Sequence, residues 1–258
     1  MSAAKALIQG FVSRLLPGAF VDDRDDAKPV RMKRYGEVNV SEFDTNLYGY
    51  CEEGSMTVST TPTPGTGFTW PQALVFNDTV SGSIYIQNNE SVANPNAKSL
   101  YMGWIKMIPT ATPTGVAVFN YAVSLDTVAR TYTTDNTTAI TSVSPNGLTI
   151  SSITPTIKFQ SSNAISTMSA SSANRRIVGR GTLGGLGVIG DEMIISFGRG
   201  NIAGHPGLTA AESAGLSKRV SNCSPVVIAP GQNLTIYLWG TTMTQNITPE
   251  IELVMWAR

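Results

Sequence analysis

The chain has 258 residues, with 18 basic and 18 acidic side chains, a single histidine and a formal charge of zero. Charged residues make up 14% of it, well under the share of about a quarter usual in globular proteins, and Ser, Thr, Asn and Gly fill the gap. That balance supplies no net field for nucleic acid or an anionic membrane, which excludes direct binding to either as the main task, and no apolar run is long enough to span a bilayer.

The first segment, SAAKALIQGFVSRLLPGAF, differs from all that follows. Leu7, Ile8, Phe11, Val12, Leu15 and Leu16 recur at helical spacing, with Lys5, Gln9, Ser13 and Arg14 off that face, and predict an amphipathic helix. Pro17-Gly18 stops it. It lacks the continuous apolar block and small-residue cleavage site of a secretion signal. A helix this short is marginal alone in water, so its apolar face needs cover. The cover is either the core of its own domain or a groove on another subunit, and the six apolar residues are the candidate partner-docking face. Next come DDRDD (Asp22–Asp26) and the cluster Arg31, Lys33, Arg34. They read as a solvated linker, without the alternating acidic spacing of a calcium loop. The expected division is a helix and linker arm over 1–46 and a β domain over 47–258.

The stretch Ser59–Trp70, STTPTPGTGFTW, is Gly-rich but has no G-K-[S/T] ending and no helix after it, so it is not a phosphate cradle. Its prolines fix φ, Gly65 and Gly67 permit positive φ, and Phe68 and Trp70 can anchor the turn to a core. It reads as a stiff loop leading into β-structure. From about Leu47 onward the pattern is β. SGSIYIQNN, SLYMGWIKMIPT, GVAVFNYAVSLD, LTISSITPTIKF, RRIVGRGTLGGLGVIG, DEMIISFG, NLTIYLWG and PEIELVMWAR are rich in Val, Ile, Thr, Tyr and Trp, and turn clusters such as NPNA, TPTG and SPNG separate them. Ile251, Leu253 and Met255 alternate with Glu252, Val254 and Trp256, and Leu234, Ile236 and Leu238 share one face of their segment. Short strands with punctuated turns predict an all-β, antiparallel sandwich, and their number and long connections suit a jelly roll.

Few residues invite chemistry. Gly179-Arg180-Gly181-Thr182-Leu183-Gly184 matches G-x-G-x-x-G, yet it runs into Gly185-Leu186-Gly187-Val188, a poor helix, and reads as a glycine-rich strand in close sheet contact. His205 sits between Gly and Pro with no G-x-S-x-G elbow elsewhere. One histidine and two distant cysteines, Cys51 and Cys223, do not suggest a zinc centre; the cysteines read as thiols, though a pair stays open. In Glu52-Glu53 and Asp191-Glu192, neighbours on a strand point to opposite faces, so neither forms an acid/base couple. No cofactor, metal or catalytic residue is therefore expected. Trp70, Trp104, Trp239, Trp256 and Tyr237 lie inside apolar strands, as expected of core or interface residues, with a sugar-stacking platform as the alternative.

PTPGTG (Pro62–Gly67), the FNDT stretch, SLYMGWIKMI, RRIVGRG with VIGDEMIISFG, PVVIAPGQNLTIYLWG and a closing E-x-x-x-W-x-R together resemble a group of tailed-bacteriophage virion proteins, head decoration or cement proteins of jelly-roll type. The resemblance runs from about Tyr50 to Arg258. PTPGTG, APGQ (Ala229–Gln232) and the pair Trp256 and Arg258 are its most specific pieces, and none is a catalytic motif. It implies a structural protein on the phage head surface, made in the host cytoplasm, that bridges capsomers. Its partners would be the major capsid protein and further copies of itself in a homodimer or homotrimer. The competing expectations are a carbohydrate-binding module of a phage fibre and a major shell protein, with an enzyme last.

Overall fold

The computed structural model describes residues 50–51, 54–70, 76–80, 84–111, 118–145, 153, 155–162, 164–170, 175–184, 192–198, 220–240 and 246–258. All lie within the compact unit Asn46–Arg258. The amphipathic segment with Leu7, Ile8, Phe11, Val12, Leu15 and Leu16, and the linker after it, lie outside the described residues.

The described residues form β1 (Met56–Thr60), β2 (Ile84–Gln87), β3 (Leu100–Pro109), β4 (Val118–Asp126), β5 (Tyr132–Thr134), β6 (Thr137–Ala139), β7 (Thr156–Gln160), β8 (Thr167–Met168), β9 (Arg176–Gly184), β10 (Met193–Phe197), β11 (Val220–Cys223), β12 (Val227–Ile228), β13 (Asn233–Gly240) and β14 (Pro249–Ala257). Sheet 1 runs β1-β14-β3-β10-β11, with β12 on β3; sheet 2 runs β6-β7-β2-β13-β4-β9; β5 and β8 make a small ribbon. The fold is all-β and its pairs are antiparallel except β10 with β11. Four antiparallel pairs are nested along the chain: β1 with β14, β2 with β13, β3 with β10, and β4 with β9. The first and third pairs belong to sheet 1, the second and fourth to sheet 2.

Alternation sets these strands. In β14, Ile251, Leu253 and Met255 are buried at 1% or less, while Glu252 and Trp256 on the other face are half-buried. Leu234, Ile236 and Leu238 of β13 point inward likewise. One apolar core draws on both sheets: Ile105, Met107, Ile195 and Leu253 from sheet 1, and Ile84, Phe159, Val123 and Ile236 from sheet 2. Fully burying each such side chain contributes about 2 kcal/mol. A bulge interrupts β14 against β3 between Val254 and Met255. Gly103 is the extra residue there, where a Cβ would meet Val254 O at 3.0 Å.

Both sheets also meet at their edges. Val58 of β1 forms a two-way backbone bridge with Val143, just after β6 (2.8 and 2.9 Å). At the opposite edges, the Tyr121 hydroxyl of β4 bonds Ser221 of β11. Gly179 and Gly181 of β9 let β11 come close: a Cβ on Gly179 would stand 2.6 Å from Cys223 Sγ.

Two expectations need correction in detail. Among the described residues the β pattern read from about Leu47 begins later, at Met56, and Tyr50 and Cys51 are helical. Ser55 N–H donates to Tyr50 O and Gly54 N–H to Cys51 O (both 3.0 Å), with Gly54 at φ 69°. That pair of bonds with a left-handed glycine is the usual way a helix satisfies its last carbonyls. In STTPTPGTGFTW, Gly65 has the expected positive φ, 78°, but Gly67 does not. Gly67 is needed for close approach instead, since a Cβ there would fall 2.6 Å from the Pro249 carbonyl. The loop is stiff because β14 and its lead-in bind it: Phe68 N–H donates to Pro249 O (3.0 Å), and Trp70 N–H to Ile247 O (2.7 Å).

Candidate functional site

The outer faces of the two sheets differ, and the aromatic residues singled out from sequence divide between them. Trp70 is buried at 2% and belongs to the core. On the outer face of sheet 1, Tyr101 and Trp256 are cross-strand partners with rings stacked at 6.1 Å and 8°. Tyr50 also stacks on Trp256, at 5.5 Å and 9°. Beside them Glu252 accepts from Trp104 Nε1 (3.1 Å) and pairs with Lys106 (3.0 Å). These rings spend their faces on one another, and the ion pair is satisfied within the sheet. The arrangement fixes the start of the described chain against its last strand, with Arg258 Nη1 donating to the Tyr50 hydroxyl (3.3 Å).

On sheet 2, Trp239 and Tyr237 of β13 meet Phe76 at 5.5 and 5.1 Å. Arg175 lies over the Phe76 ring (5.9 Å) and is paired with Asp78 (2.5 Å). Phe76 is 37% exposed, and a cluster of aromatic residues and arginine has the composition of a contact surface. Trp104 and Trp256 lie on one sheet and Trp239 on the other, with Tyr237 buried at 4%. They do not converge on one platform.

Sequence reasoning missed Arg130, the centre of a buried polar network. Asn233 Oδ1 accepts from its backbone N–H (2.9 Å), and its carbonyl accepts from the Tyr85 hydroxyl (2.8 Å). Its guanidinium donates to Tyr237 Oη (2.7 Å), Asp78 O (2.6 Å) and Ser169 O (2.9 Å). Burial pushes the Tyr85 and Tyr132 hydroxyls well above their ordinary values and raises that of Tyr237; the Arg130 charge opposes this without reversing it. A lone arginine between strands carries no spacing signal, so nothing in the sequence marks it.

The glycine motif Gly179–Gly184 lies in β9, an extended strand, not at the strand-to-helix turn a dinucleotide needs. Cys51 and Cys223 are not joined in a disulfide. Burial raises the Cys223 thiol, with the Tyr121 hydroxyl partly offsetting it, the opposite of an activated nucleophile. His205, Glu52, Glu53 and Asp191 lie outside the described residues, and Glu192 is exposed. Among the described residues no three His, Cys, Asp or Glu side chains gather as metal ligands, and no helix is long and apolar enough to cross a membrane.

The residues that carry the family resemblance are joints of the fold. PTPGTG is the loop bound to β14. APGQ is a turn in which Gly231, at φ 72°, donates to Asn88 O (3.1 Å), while Asn88 N–H donates to Gln232 O (3.0 Å). Glu252, Trp256 and Arg258 make the sheet 1 contacts described above. Comparison with protein-family models, curated proteins and solved structures finds no match.

Proposed function

We propose that this chain is a structural virion protein, a decoration or cement protein of a tailed-phage head, built on a jelly-roll sandwich. The observation that supports it is the nested pairing β1·β14, β2·β13, β3·β10, β4·β9. A long hairpin whose successive pairs alternate between two sheets rolls into a jelly roll, an architecture used by viral capsid and lectin domains. The sequence resemblance points to the same class. A polar surface without net charge suits a protein that must lie on a shell without gripping DNA, and the arm over 1–46 would reach a neighbouring capsomer through Leu7, Ile8, Phe11, Val12, Leu15 and Leu16. In this reading the chain is not an enzyme and needs no cofactor. Its partners are the major capsid protein and other copies of itself, and it resides on the head surface. A contact of standard size would bury about 1,600 Å², and repetition over the lattice multiplies weak contacts into a firm shell.

Removing residues 1–20 tests the arm. The truncated protein is expected to remain a folded β unit that no longer binds heads in a sedimentation assay; normal decoration would reject the arm model. The same nested order also suits a shell-forming protein, the second reading. Purified chain that closes into shells without a partner would favour that reading over decoration.

A further inference from the structure

Antiparallel sheets commonly leave one face in water, but much of the outer face of sheet 2 is covered. Asn233, Thr235, Ser124 and Asp126 are fully buried there, Tyr85 is 2% exposed and Tyr237 4%. The cover consists of the β5–β8 ribbon and the segment Phe76–Val80. The two pieces are tied together by the Val80 bridge to Thr167 and by Met168 N–H donating to Thr79 O (2.8 Å). The contact is mixed: Phe76 packs on Tyr237 and Trp239, and Tyr132 on Tyr85, while Asn233, Thr235, Ser124 and Asp126 beneath it are polar. Met168 is the buried aliphatic side chain of the ribbon, at 3%, whereas Ile165 beside it is 47% exposed. Because the face beneath it is largely polar, lifting the cover exposes less apolar surface than opening the core, and hydrogen bonds carry a larger share of the attachment.

Several of those bonds meet at Arg130, beside the Tyr237 hydroxyl's bond to Asp78 O (3.1 Å) and the Arg175–Asp78 ion pair. The Arg130 backbone is fixed to sheet 2 by Asn233 and Tyr85. Its guanidinium reaches the cover on both sides, at Ser169 O after the ribbon and at Asp78 O in the other segment. All of its acceptors on the cover are neutral carbonyls, and the residue is 3% exposed. A charge held this deep stays in place only while those acceptors stay with it. At the far end, Gln160 of β7 holds the chain before β8 by donating to Ala164 O (2.8 Å) and accepting from the Ser166 hydroxyl (2.8 Å). That gives the cover an attachment independent of Arg130.

We propose that the β5–β8 ribbon and Phe76–Val80 form a strap that lifts from sheet 2 as one unit while the two sheets stay folded, with the Arg130 guanidinium as its fastening and the Gln160 contact as its hinge. Opening uncovers a hydroxyl-rich face centred on Tyr85 and Tyr237.

Thiol labelling of two reporters in the full chain at rising sub-denaturing urea tests this directly: Thr235→Cys under the strap and Leu253→Cys in the shared core, both fully buried positions, read by mass spectrometry of their peptides. Thr235→Cys is expected to label through an opening that precedes labelling of Leu253→Cys. Adding Arg130→Met should speed labelling of Thr235→Cys about ten- to a hundredfold, the loss expected for hydrogen bonds from a charged donor, and leave Leu253→Cys unchanged. Arg130→Lys should restore part of the protection. The proposal is overturned if both reporters label in one transition, or if Arg130→Met speeds both equally or neither. Should Arg130→Met fail to fold, the order of labelling without it decides alone.

Discussion

Gly65 and Gly67 stand two residues apart in one loop, yet different physics requires each. Gly65 holds φ 78° with open space around it, so alanine there meets only backbone strain, about 1–2 kcal/mol. At Gly67 an added methyl meets the Pro249 carbonyl carbon and oxygen at 2.6 Å and Thr248 O at 2.7 Å. Those are backbone atoms at the start of β14 and cannot step aside. Gly67→Ala is expected to cost about 3 kcal/mol, clearly more than Gly65→Ala, in urea unfolding; equal losses would contradict the close approach. Gly179 offers a third case, because its neighbour is a side chain, Cys223. Gly179→Ala should destabilise, and Cys223→Ala should relieve part of that loss, giving a coupling of about 0.5 kcal/mol or more in a double-mutant cycle. The same packing keeps Cys223 at 7% exposure and raises its thiol. Alkylation of Cys223 by iodoacetamide is therefore expected to require unfolding, which mass spectrometry of native and denatured protein would show.

Among the elements, the nested strands were legible from β-branched and aromatic runs between turn clusters, with alternation clear in β13 and β14, and with one exception, β1. Its sequence MTVST turns Thr57 and Ser59 inward, at 3% and 0% exposure, and leaves Met56 and Val58 half-buried on the other face. Polar residues at core positions reverse the pattern that marks a strand. Ser59 is accommodated by a hydroxyl bond to Ser142 (2.9 Å), a partner 83 residues away that no local reading could supply. Ser59→Ala is expected to cost about 1–2 kcal/mol by stranding the Ser142 hydroxyl, and Ser59→Ala with Ser142→Ala to recover most of it. If the double variant is as unstable as the sum of the singles, the bond is not what holds β1. The reading of NLTIYLWG succeeded for Leu234, Ile236 and Leu238 on one face but identified no cover for the other. Asn233, Thr235 and Tyr237 are buried because distant segments fold over them, and strand period says nothing about a second cover. The glycine motif was correctly read as strand because its neighbours form no helix, while Arg130 gave no sign at all. For comparison, Leu253→Ala in the shared core should cost about 2–5 kcal/mol.

At the scale of the whole molecule, the joints of the β unit are turns and aromatic stacks. Its described polar clusters are inward-facing and tied to structure: Arg130 under the strap, Asn88 at the APGQ turn, Ser59 behind β1. Phe76 with the half-buried Trp239 and Arg175, and the half-buried stacked rings of sheet 1, lie on the outer faces. That distribution agrees with a protein whose work is contact, which remains the proposal. Electron microscopy of the intact particle tests that proposal most directly. The account predicts density for the β unit on the outside of the head, spanning the boundary between neighbouring capsomers, in a fixed ratio to the shell protein. Absence of the chain from purified particles, or its placement at a fibre tip, would contradict it.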